Sequence, residues 1–381
     1  MKKILLLASL AIALMASCTQ KTQPTEAINE EITPAEQLMA RLDTIRQHGY
    51  MYGHQDDPFY GITWEWEKND RSDTKELVGD YPAVMGFELG GIEMGDLKNL
   101  DSVPFDWMQE EIIKHHMRGG IVTISWHPRN PLNGKTAWIE SDLKEYAEAL
   151  SAGTPADQLI DPKHTVASII EGGEMHEKFM TWLDRVSVFM DGLKTPEGEV
   201  IPVIFRPWHE NTGNWFWWGE ANCTNDEYKS LWNLTQDFLN EKHPGMFVWS
   251  YSPSPRTIGH LMERWPGDDR VQLFGIDAYQ WGTEVEFKLQ LEYGLDLIMD
   301  YVKDHPMLIA VTECGRVNSD IPDWWTRVFN PIASRYPICY CLPWRNAAKE
   351  HFGASKDAPT AEDFKQFYAL DNTLFLKDIQ D

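Results

Sequence analysis

The chain has 381 residues, of which 43% are hydrophobic and 17 are tryptophan. Its 34 basic and 59 acidic residues give a formal net charge of −25, which argues against binding to nucleic acid or to an anionic membrane, since both need basic patches. The length exceeds that of a typical domain but fits an α/β barrel with insertions, and the apolar content suffices for its core.

The N-terminus has the pattern of a secretory signal. Two lysines follow the initial methionine, an apolar run covers 4–15, and small residues precede Cys18. The end of this pattern is similar to a bacterial lipobox, so we predict a lipoprotein signal peptide over 1–17 and lipidation at Cys18. Cleavage near Ser17 without lipidation is the alternative. Lipidation would place the protein in the bacterial cell envelope, in the periplasm or on the outer-membrane surface, with its N-terminal lipid as the only membrane contact.

A single domain follows this signal. Residues 18–33 are polar without apolar periodicity, and we predict a flexible tether there. Thr33, the proline after it and Glu36 form a capping box that opens the first helix. No later segment is apolar for long enough to span a bilayer. We therefore assign residues 34–375 to one domain.

Short apolar runs alternate with amphipathic helical patterns throughout this domain. Several runs, such as the one over 202–205, are continuously apolar, which is typical of parallel strands buried on both faces. Eight such runs predict an α/β fold of the (β/α)8 TIM barrel type. The predicted strands are 50–53, 83–89, 121–126, 201–208, 247–252, 271–278, 307–312 and 338–342, and the main predicted helices are 105–118, 175–193, 224–242, 285–303 and 324–336.

Function in such a barrel collects at the C-terminal ends of the strands. Two glutamates close apolar runs there, Glu210 after the fourth strand and Glu313 after the seventh. Glycoside hydrolysis needs two carboxyl groups flanking one bond, and these two strands lie across the barrel mouth from each other. Glu88 has the same placement on the second strand, but because its flanks lack the aromatic surround we interpret it as a supporting or structural carboxylate. The long connection over 129–173 is expected to build the substrate cleft.

The segment 206–219 (RPWHENTGNWFWWG) places Glu210 just before four consecutive aromatic residues. It resembles the signature of glycoside hydrolase family 26, whose members are mostly β-mannanases. Shorter matches follow the family's order over about 36–370. They are SWHP at 125–128, GIDAY at 275–279, TECG at 312–315 and PWRN at 343–346.

This resemblance implies a retaining mannan endo-1,4-β-mannosidase with a single catalytic domain and no cofactor or metal. Glu210 matches the acid/base and Glu313 the nucleophile. The resemblance also implies seven substrate-binding residues. They are His127, Trp215 and Tyr279 at the cleavage point, His209 orienting a carboxylate, Trp344 as a stacking floor, Arg345 one sugar further on, and Trp138 extending the cleft; Tyr279 would also hydrogen-bond Glu313.

Other conspicuous residues receive structural interpretations. Trp217 and Trp218 are expected to pack, Arg206 to form an internal salt bridge, and Asp277 to accept a hydrogen bond inside the barrel. Beyond Cys18, the four cysteines lack the spacing of a zinc site and are expected to be small buried hydrophobes. A disulfide between Cys339 and Cys341 stays open.

Two alternatives accompany the mannanase hypothesis. One keeps the mechanism and changes the substrate to a mixed-linkage β-glucan or a β-1,3-xylan. The other is a lipoprotein that binds glycan without cutting it, which the two facing glutamates disfavour. We expect a monomer that acts on mannan polysaccharide or manno-oligosaccharide. The sequence holds no phosphate-binding glycine loop, HExxH motif or GxSxG motif to support nucleotide, zinc-protease or esterase chemistry.

Overall fold

All eight predicted strands form the barrel. A computed structural model describes residues 32–65 and 70–380, without the side chains of 257–259. Each strand pairs in parallel with its neighbours, and β1 pairs with both β2 and β8, which closes the barrel and confirms the predicted fold. The strands are β1 (Tyr50–Gln55), β2 (Val84–Glu88), β3 (Ile121–Trp126), β4 (Val203–Pro207), β5 (Phe247–Tyr251), β6 (Leu273–Tyr279), β7 (Leu308–Gly315) and β8 (Tyr340–Pro343).

The helices surround this barrel, and some of their N-termini are capped by residues close in sequence. In α7 the Thr224 hydroxyl accepts from the backbone N–H of Glu227, whose carboxylate accepts from the backbone N–H of Thr224, as the capping-box pattern predicts. The helices within the described residues are α1 (Pro34–Ile45), α2 (Asp73–Val78), α3 (Phe105–Met117), α4 (Glu140–Ser151), α5 (Thr165–Ile169), α6 (His176–Asp191), α7 (Asn225–Lys242), α8 (Glu284–Val302), α9 (Asn330–Ala333) and α10 (Ala361–Tyr368).

Helix α1 closes the end of the barrel opposite the strand C-termini. Its buried residues Leu38 and Leu42 share one apolar cluster with residues near the starts of several strands, including Met51, Ile121 and Leu308. A second, larger cluster joins the outer faces of the strands to the surrounding helices. Because one end is sealed by packing, the open C-terminal end is left for the functional site.

The predicted helix over 324–336 differs from the structure. A π-helical turn, Trp324–Phe329, precedes the short helix α9. Pro331 cannot donate a backbone hydrogen bond, which accounts for an irregular ladder at this point. The Asp363 carboxylate on α10 accepts from the free amides of Trp325 and Thr326 at 2.8 and 3.2 Å. This cap comes from a distant part of the chain, so periodicity could not reveal it.

Two further features were not resolved by the sequence. A two-residue strand, β9 (Thr373–Leu374), extends the sheet by pairing with β1. Cys339 and Cys341 are both buried and free, and they belong to the two different apolar clusters, which confirms the interpretation as buried hydrophobes.

Among the described residues no helix is both long and apolar enough to cross a bilayer. The predicted signal peptide, Cys18 and nearly all of the tether lie outside the described residues.

Candidate active site

A cavity of about 440 Å³ opens at the C-terminal ends of the strands. Its walls bring together residues from β3, β4, β6, β7 and β8 that are far apart in the chain. Every site residue predicted for the barrel lies in this wall. They are Glu210, Glu313, His127, Trp138, His209, Trp215, Tyr279, Trp344 and Arg345.

The backbone holds Glu210 in an uncommon conformation. The chain turns sharply after β4, and both Trp208 and Glu210 have positive φ angles, of 54° and 50°. Left-handed backbone at a residue other than glycine costs on the order of 1–3 kcal/mol. The backbone N–H of Glu210 donates to the Ser252 carbonyl at 2.6 Å, and the buried Trp217 and Trp218 pack edge-on against the Trp208 ring. Their predicted packing role is therefore confirmed, and it fixes the direction of the Glu210 side chain.

An indole ring and two carboxylates, those of Asp277 and Glu313, lie close to the Glu210 carboxyl group. Trp215 Nε1 donates to Glu210 Oε2 at 2.6 Å. A Cβ atom at Gly213 would lie 2.2 Å from the Trp215 ring, so this ring position requires glycine there. Burial, followed by the negative charge of Glu313, raises the pKa of Glu210 well above its ordinary value. The raised pKa favours the protonated carboxyl group, which can act as an acid.

Charged and polar donors surround the Glu313 carboxylate instead. The Arg206 guanidinium donates to Glu313 Oε1, and the Tyr279 hydroxyl donates to Glu313 Oε2 at 2.5 Å, as predicted. Arg206 also donates to Asp277 Oδ2 at 3.0 Å, which confirms the internal salt bridge. Asp277 further accepts from the Thr312 hydroxyl at 2.7 Å. Both oxygens of Glu313 thus receive donors that stabilise a negative charge.

The two glutamates are close enough to act on one bond. Single oxygens of Glu210, Asp277 and Glu313 all lie within 4.8 Å of one another. A retaining glycosidase holds its carboxyl groups about 5–5.5 Å apart, whereas an inverting enzyme separates them by roughly 6.5–9.5 Å to admit a water molecule. The group has enough oxygens to attract a cation, but the Arg206 guanidinium already neutralises part of the charge of Asp277 and Glu313.

A histidine pair forms the wall from β3 to β4. His127 Nδ1 lies 2.8 Å from Glu88 Oε2, and Glu88 Oε1 accepts from the His127 backbone N–H at 2.7 Å. Burial lowers the pKa of His127, but the charge and hydrogen bond of Glu88 outweigh it and leave that pKa raised. Burial likewise opposes ionisation of Glu88, yet His127 leaves the pKa of Glu88 below its ordinary value. Glu88 is thus the supporting carboxylate that the sequence predicts.

This pair gives His209 a hydrogen-bond partner that the sequence did not predict. His209 Nε2 lies 2.9 Å from His127 Nε2 and 3.9 Å from Glu313 Oε1, so its hydrogen-bond partner is the other imidazole and not a catalytic carboxylate. Burial and the charge of His127 hold the pKa of His209 well below its ordinary value. The unprotonated Nε2 of a neutral His209 therefore accepts a hydrogen bond from the Nε2–H of His127 and orients that ring.

Aromatic rings and one arginine complete the walls. The Trp138 ring stacks on His127 with centroids 5.5 Å apart and an interplanar angle of 10°, and 42% of Trp138 is exposed. Trp344 is half-buried in the cavity wall. Arg345 donates to Asp101 Oδ1 at 2.7 Å and lies over the Tyr60 ring, which fixes its guanidinium. Such flat apolar faces between hydrogen-bonding groups match the two kinds of surface on a sugar ring.

Sequence reasoning missed part of the cavity wall. Leu100 and Asp101 belong to the connection between β2 and α3, well past the strand end, where no local pattern marks them. Trp281 follows β6 by two residues, and its aromatic character was a usable signal. The end of β5 supplied no predicted residue, although Ser254 and Arg256 follow it closely. The remaining residues of the wall that were not predicted are Phe216, Asp277, Glu350 and Phe352.

Comparison with known proteins identifies the family. The sequence model of glycosyl hydrolase family 26 matches residues 29–358. A β-mannanase structure from Bacteroides ovatus is 38% identical, with a TM-score of 0.82 over 91% of this chain and 96% of that one. Mannan endo-1,4-β-mannosidases of Bifidobacterium adolescentis and Bacillus subtilis are 26% and 25% identical over 78% and 74% of this chain. The chain spans 30% of the length of the first and 71% of the second. On this match, and with the barrel and the paired glutamates in place, the chain belongs to glycosyl hydrolase family 26.

Proposed function

We propose that this protein is a retaining endo-β-1,4-mannanase that hydrolyses mannan, galactomannan or glucomannan. The observation that carries the proposal is the separation of at most 4.8 Å between oxygens of Glu210 and Glu313. That spacing suits direct attack on the sugar and leaves no place for a water molecule between the two groups. Mannan as the substrate is supported by the activity named for the relatives from Bifidobacterium and Bacillus.

The first chemical step uses both glutamates in opposite protonation states. Glu313 Oε attacks the anomeric carbon and forms a covalent glycosyl ester while the glycosidic C–O bond breaks. Glu210 gives its proton to the departing oxygen, for which its raised pKa prepares it. Arg206 and Tyr279 hold the Glu313 carboxylate in position for this attack.

The second step reverses the role of Glu210. A water molecule attacks the anomeric carbon, Glu210 accepts its proton, and Glu313 leaves as a carboxylate. The negative charge of Glu313 is one cause of the raised pKa of Glu210, and esterification removes that charge. The pKa of Glu210 therefore falls in the intermediate, which suits a general base. Two displacements at one carbon restore its original β configuration.

Reducing-sugar release tests the activity. Purified protein is incubated with linear mannan, glucomannan, galactomannan and, as the matched control glycan, lichenan. We expect release from the three mannans and a β-configured first product by NMR. Release from lichenan alone would favour the alternative β-glucan substrate. No release from any polysaccharide, together with retained binding, would favour the glycan-binding alternative. A product profile over time on linear mannan separates internal cutting from release of disaccharides at chain ends.

We further propose that the protein is a monomeric lipoprotein of the bacterial envelope, attached through Cys18. The support is the sequence pattern of basic, apolar and small residues that ends at this cysteine. Palmitate labelling of the expressed chain should depend on Cys18, and a Cys18→Ala variant should lose both the label and sedimentation with membranes. Unlabelled protein in the soluble fraction would contradict the proposal. Surface protease accessibility distinguishes the periplasm from the cell exterior, and light scattering measures the oligomeric state.

A further inference from the structure

Arg256 differs from the other arginines in the described part of the chain. Each of the others places its guanidinium in a hydrogen bond or an ion pair within the protein. They are Arg41, Arg46, Arg71, Arg118, Arg129, Arg185, Arg206, Arg264, Arg270, Arg316, Arg327, Arg335 and Arg345. Within the described residues, the guanidinium of Arg256 has no hydrogen-bond or ion-pair partner, and only its backbone N–H makes a hydrogen bond. In a protein of net charge −25, a guanidinium without a carboxylate partner is unexpected.

The position of Arg256 indicates what its guanidinium could bind. It is exposed and lines the same cavity as Glu210 and Glu313. A guanidinium carries five N–H donors in a fixed plane and no acceptor. Donors left open at the wall of a sugar-sized cavity are available to the oxygens of a ligand.

The loop that carries Arg256 is fastened to the catalytic segment. The Glu210 backbone N–H donates to Ser252, directly after β5. Two residues further on each side, the Thr212 hydroxyl donates to the Ser254 carbonyl at 3.0 Å and accepts from the Ser254 backbone N–H at 3.1 Å. The Arg256 backbone N–H then donates to the Ser254 hydroxyl at 3.4 Å. Arg256 therefore belongs to the Glu210 side of the cavity, away from Arg345 and Asp101.

The chemistry defines what occupies that side. A general acid stands next to the oxygen that leaves, so the sugar released in the first step lies on the Glu210 side. Trp281 follows β6, the neighbour of β5, and exposes 54% of its surface at the same cavity. Its ring lies 5.4 Å from that of Tyr279. Trp281 and Arg256 follow neighbouring strands. The exposed indole ring suits the apolar face of a sugar, and the guanidinium N–H groups suit its hydroxyl groups.

We propose that Arg256 is a substrate-binding residue that donates hydrogen bonds to hydroxyl groups of the leaving-group sugar. The inference rests on the proposed glycosidase function and adds the residue that binds the released side of the chain. It differs from Arg345, whose guanidinium is already fixed by Asp101 and which follows β8, across the barrel from β4.

Two substrates that share the bound side and differ in the leaving group test the proposal. One is a manno-oligosaccharide long enough to place sugars beyond the cleaved bond. The other is an aryl β-mannobioside, which has no sugar there. For Arg256→Ala we expect the ratio of kcat/KM for oligosaccharide over aryl glycoside to fall about tenfold, the typical loss of a hydrogen bond from a charged donor. Arg256→Lys should recover part of the ratio.

Two matched controls keep the result specific. Arg345→Ala should lower kcat/KM on both substrates and leave their ratio within about twofold. Arg335→Ala removes a surface arginine paired with Glu292, far from the cavity, and should leave the ratio unchanged. An unchanged ratio for Arg256→Ala, or an equal loss on both substrates, would overturn the inference. Neither of these two results would contradict the proposed function, which fails only if the wild-type chain releases no sugar from mannan.

Discussion

The surroundings of Glu210 and of Glu313 differ, although both glutamates end a strand of the same barrel. Glu210 lies in a tight turn among indole rings, with the Trp215 N–H as its donor. Glu313 lies in regular strand β7, and the Arg206 guanidinium and the Tyr279 hydroxyl each donate to one of its oxygens. The first setting raises the pKa of Glu210, through burial and then the charge of Glu313, whereas the second supplies two donors that hold the Glu313 carboxylate in place. Identical side chains thus receive opposite roles from their neighbours.

Removal of Glu313 is expected to have the largest effect on activity. In Glu313→Ala no nucleophile remains, and we expect kcat on mannan to fall by at least about 10⁴-fold. Azide can then attack the anomeric carbon directly from the side that Glu313 occupied. NMR of the product formed with an activated aryl mannoside should show the α-glycosyl azide. A β-glycosyl azide from this variant would assign the nucleophile role to Glu210.

Glu210→Ala should have a smaller effect that depends on the leaving group. We expect a loss of about 10²–10⁴-fold on mannan, where the leaving oxygen needs a proton. An activated aryl mannoside needs little help to leave, so its covalent intermediate should form and then accumulate. Added azide should restore turnover and give the β-glycosyl azide. Equal losses on both substrates, without rescue by azide, would contradict the acid/base role.

The histidine pair extends the comparison to a third glutamate, Glu88. In Glu88→Gln the orienting charge behind His127 is lost, and displacement of that ring should lower kcat/KM about a hundredfold. Breaking this buried pair should also lower the free energy of unfolding in urea by about 3 kcal/mol near neutral pH.

The pH dependence of this stability difference has a definite sign. The contribution of the lowered Glu88 pKa is present above the ordinary glutamate pKa, and it is lost as the pH falls through the lowered value. The contribution of the raised His127 pKa is present below the ordinary histidine pKa, and it is lost as the pH rises through the raised value. The difference in the free energy of unfolding between wild type and Glu88→Gln should therefore be largest between the ordinary pKa of glutamate and the ordinary pKa of histidine. A difference independent of pH would refute the charge pair as its cause.

Trp215→Phe tests how the surroundings of Glu210 set the pH dependence of activity. The hydrogen bond from Trp215 lowers the pKa of Glu210, against the larger raising effects of burial and of Glu313. Its removal should raise that pKa further. Activity falls as the pH rises through the pKa of the acid, so the basic limb of the kcat/KM profile should move to higher pH. We expect a loss of about tenfold at the optimum. Trp138→Phe, which changes a ring of the same cavity without a carboxylate contact, serves as the control for the limb.

The smallest effect is expected at the edge of the cavity. Trp138 is exposed over 42% of its surface and stacks on His127 by one face. Trp138→Ala should raise KM for long manno-oligosaccharides about threefold and leave kcat within about twofold, because lost stacking weakens ground-state and transition-state binding alike. A large fall in kcat would show that Trp138 positions His127 and does more than extend the cleft.

The sequence predicted most of the fold because its signals are local. Buried parallel strands need continuous apolar residues, and helices need caps and periodic faces, so the eight strands and the helix at 225–242 were readable in place. The π-helical turn before α9 was not, because its amide donors are satisfied by Asp363 on a distant helix. The strand β9 was missed because two residues carry no periodicity.

The active site divides in the same way. Residues directly at strand ends, such as Glu210, Glu313 and Tyr279, were found because parallel strands bring those ends together. Asp101 and Arg256 were missed because loops set their positions. The hydrogen-bond partner of His209 was missed because the barrel places its ring against His127 on another strand.

By itself, the sequence determined the barrel, the pair of glutamates and the aromatic segment around one of them, since each follows from the order and type of neighbouring residues. The resemblance assigned the two roles, and only the tertiary structure shows their physical basis. Burial and the nearby charge of Glu313 raise the pKa of Glu210, and Arg206 and Tyr279 bring hydrogen-bond donors to Glu313 from other strands. Protonation is set by electric fields across a few ångströms of space, and those distances exist only once the strands have closed into a barrel.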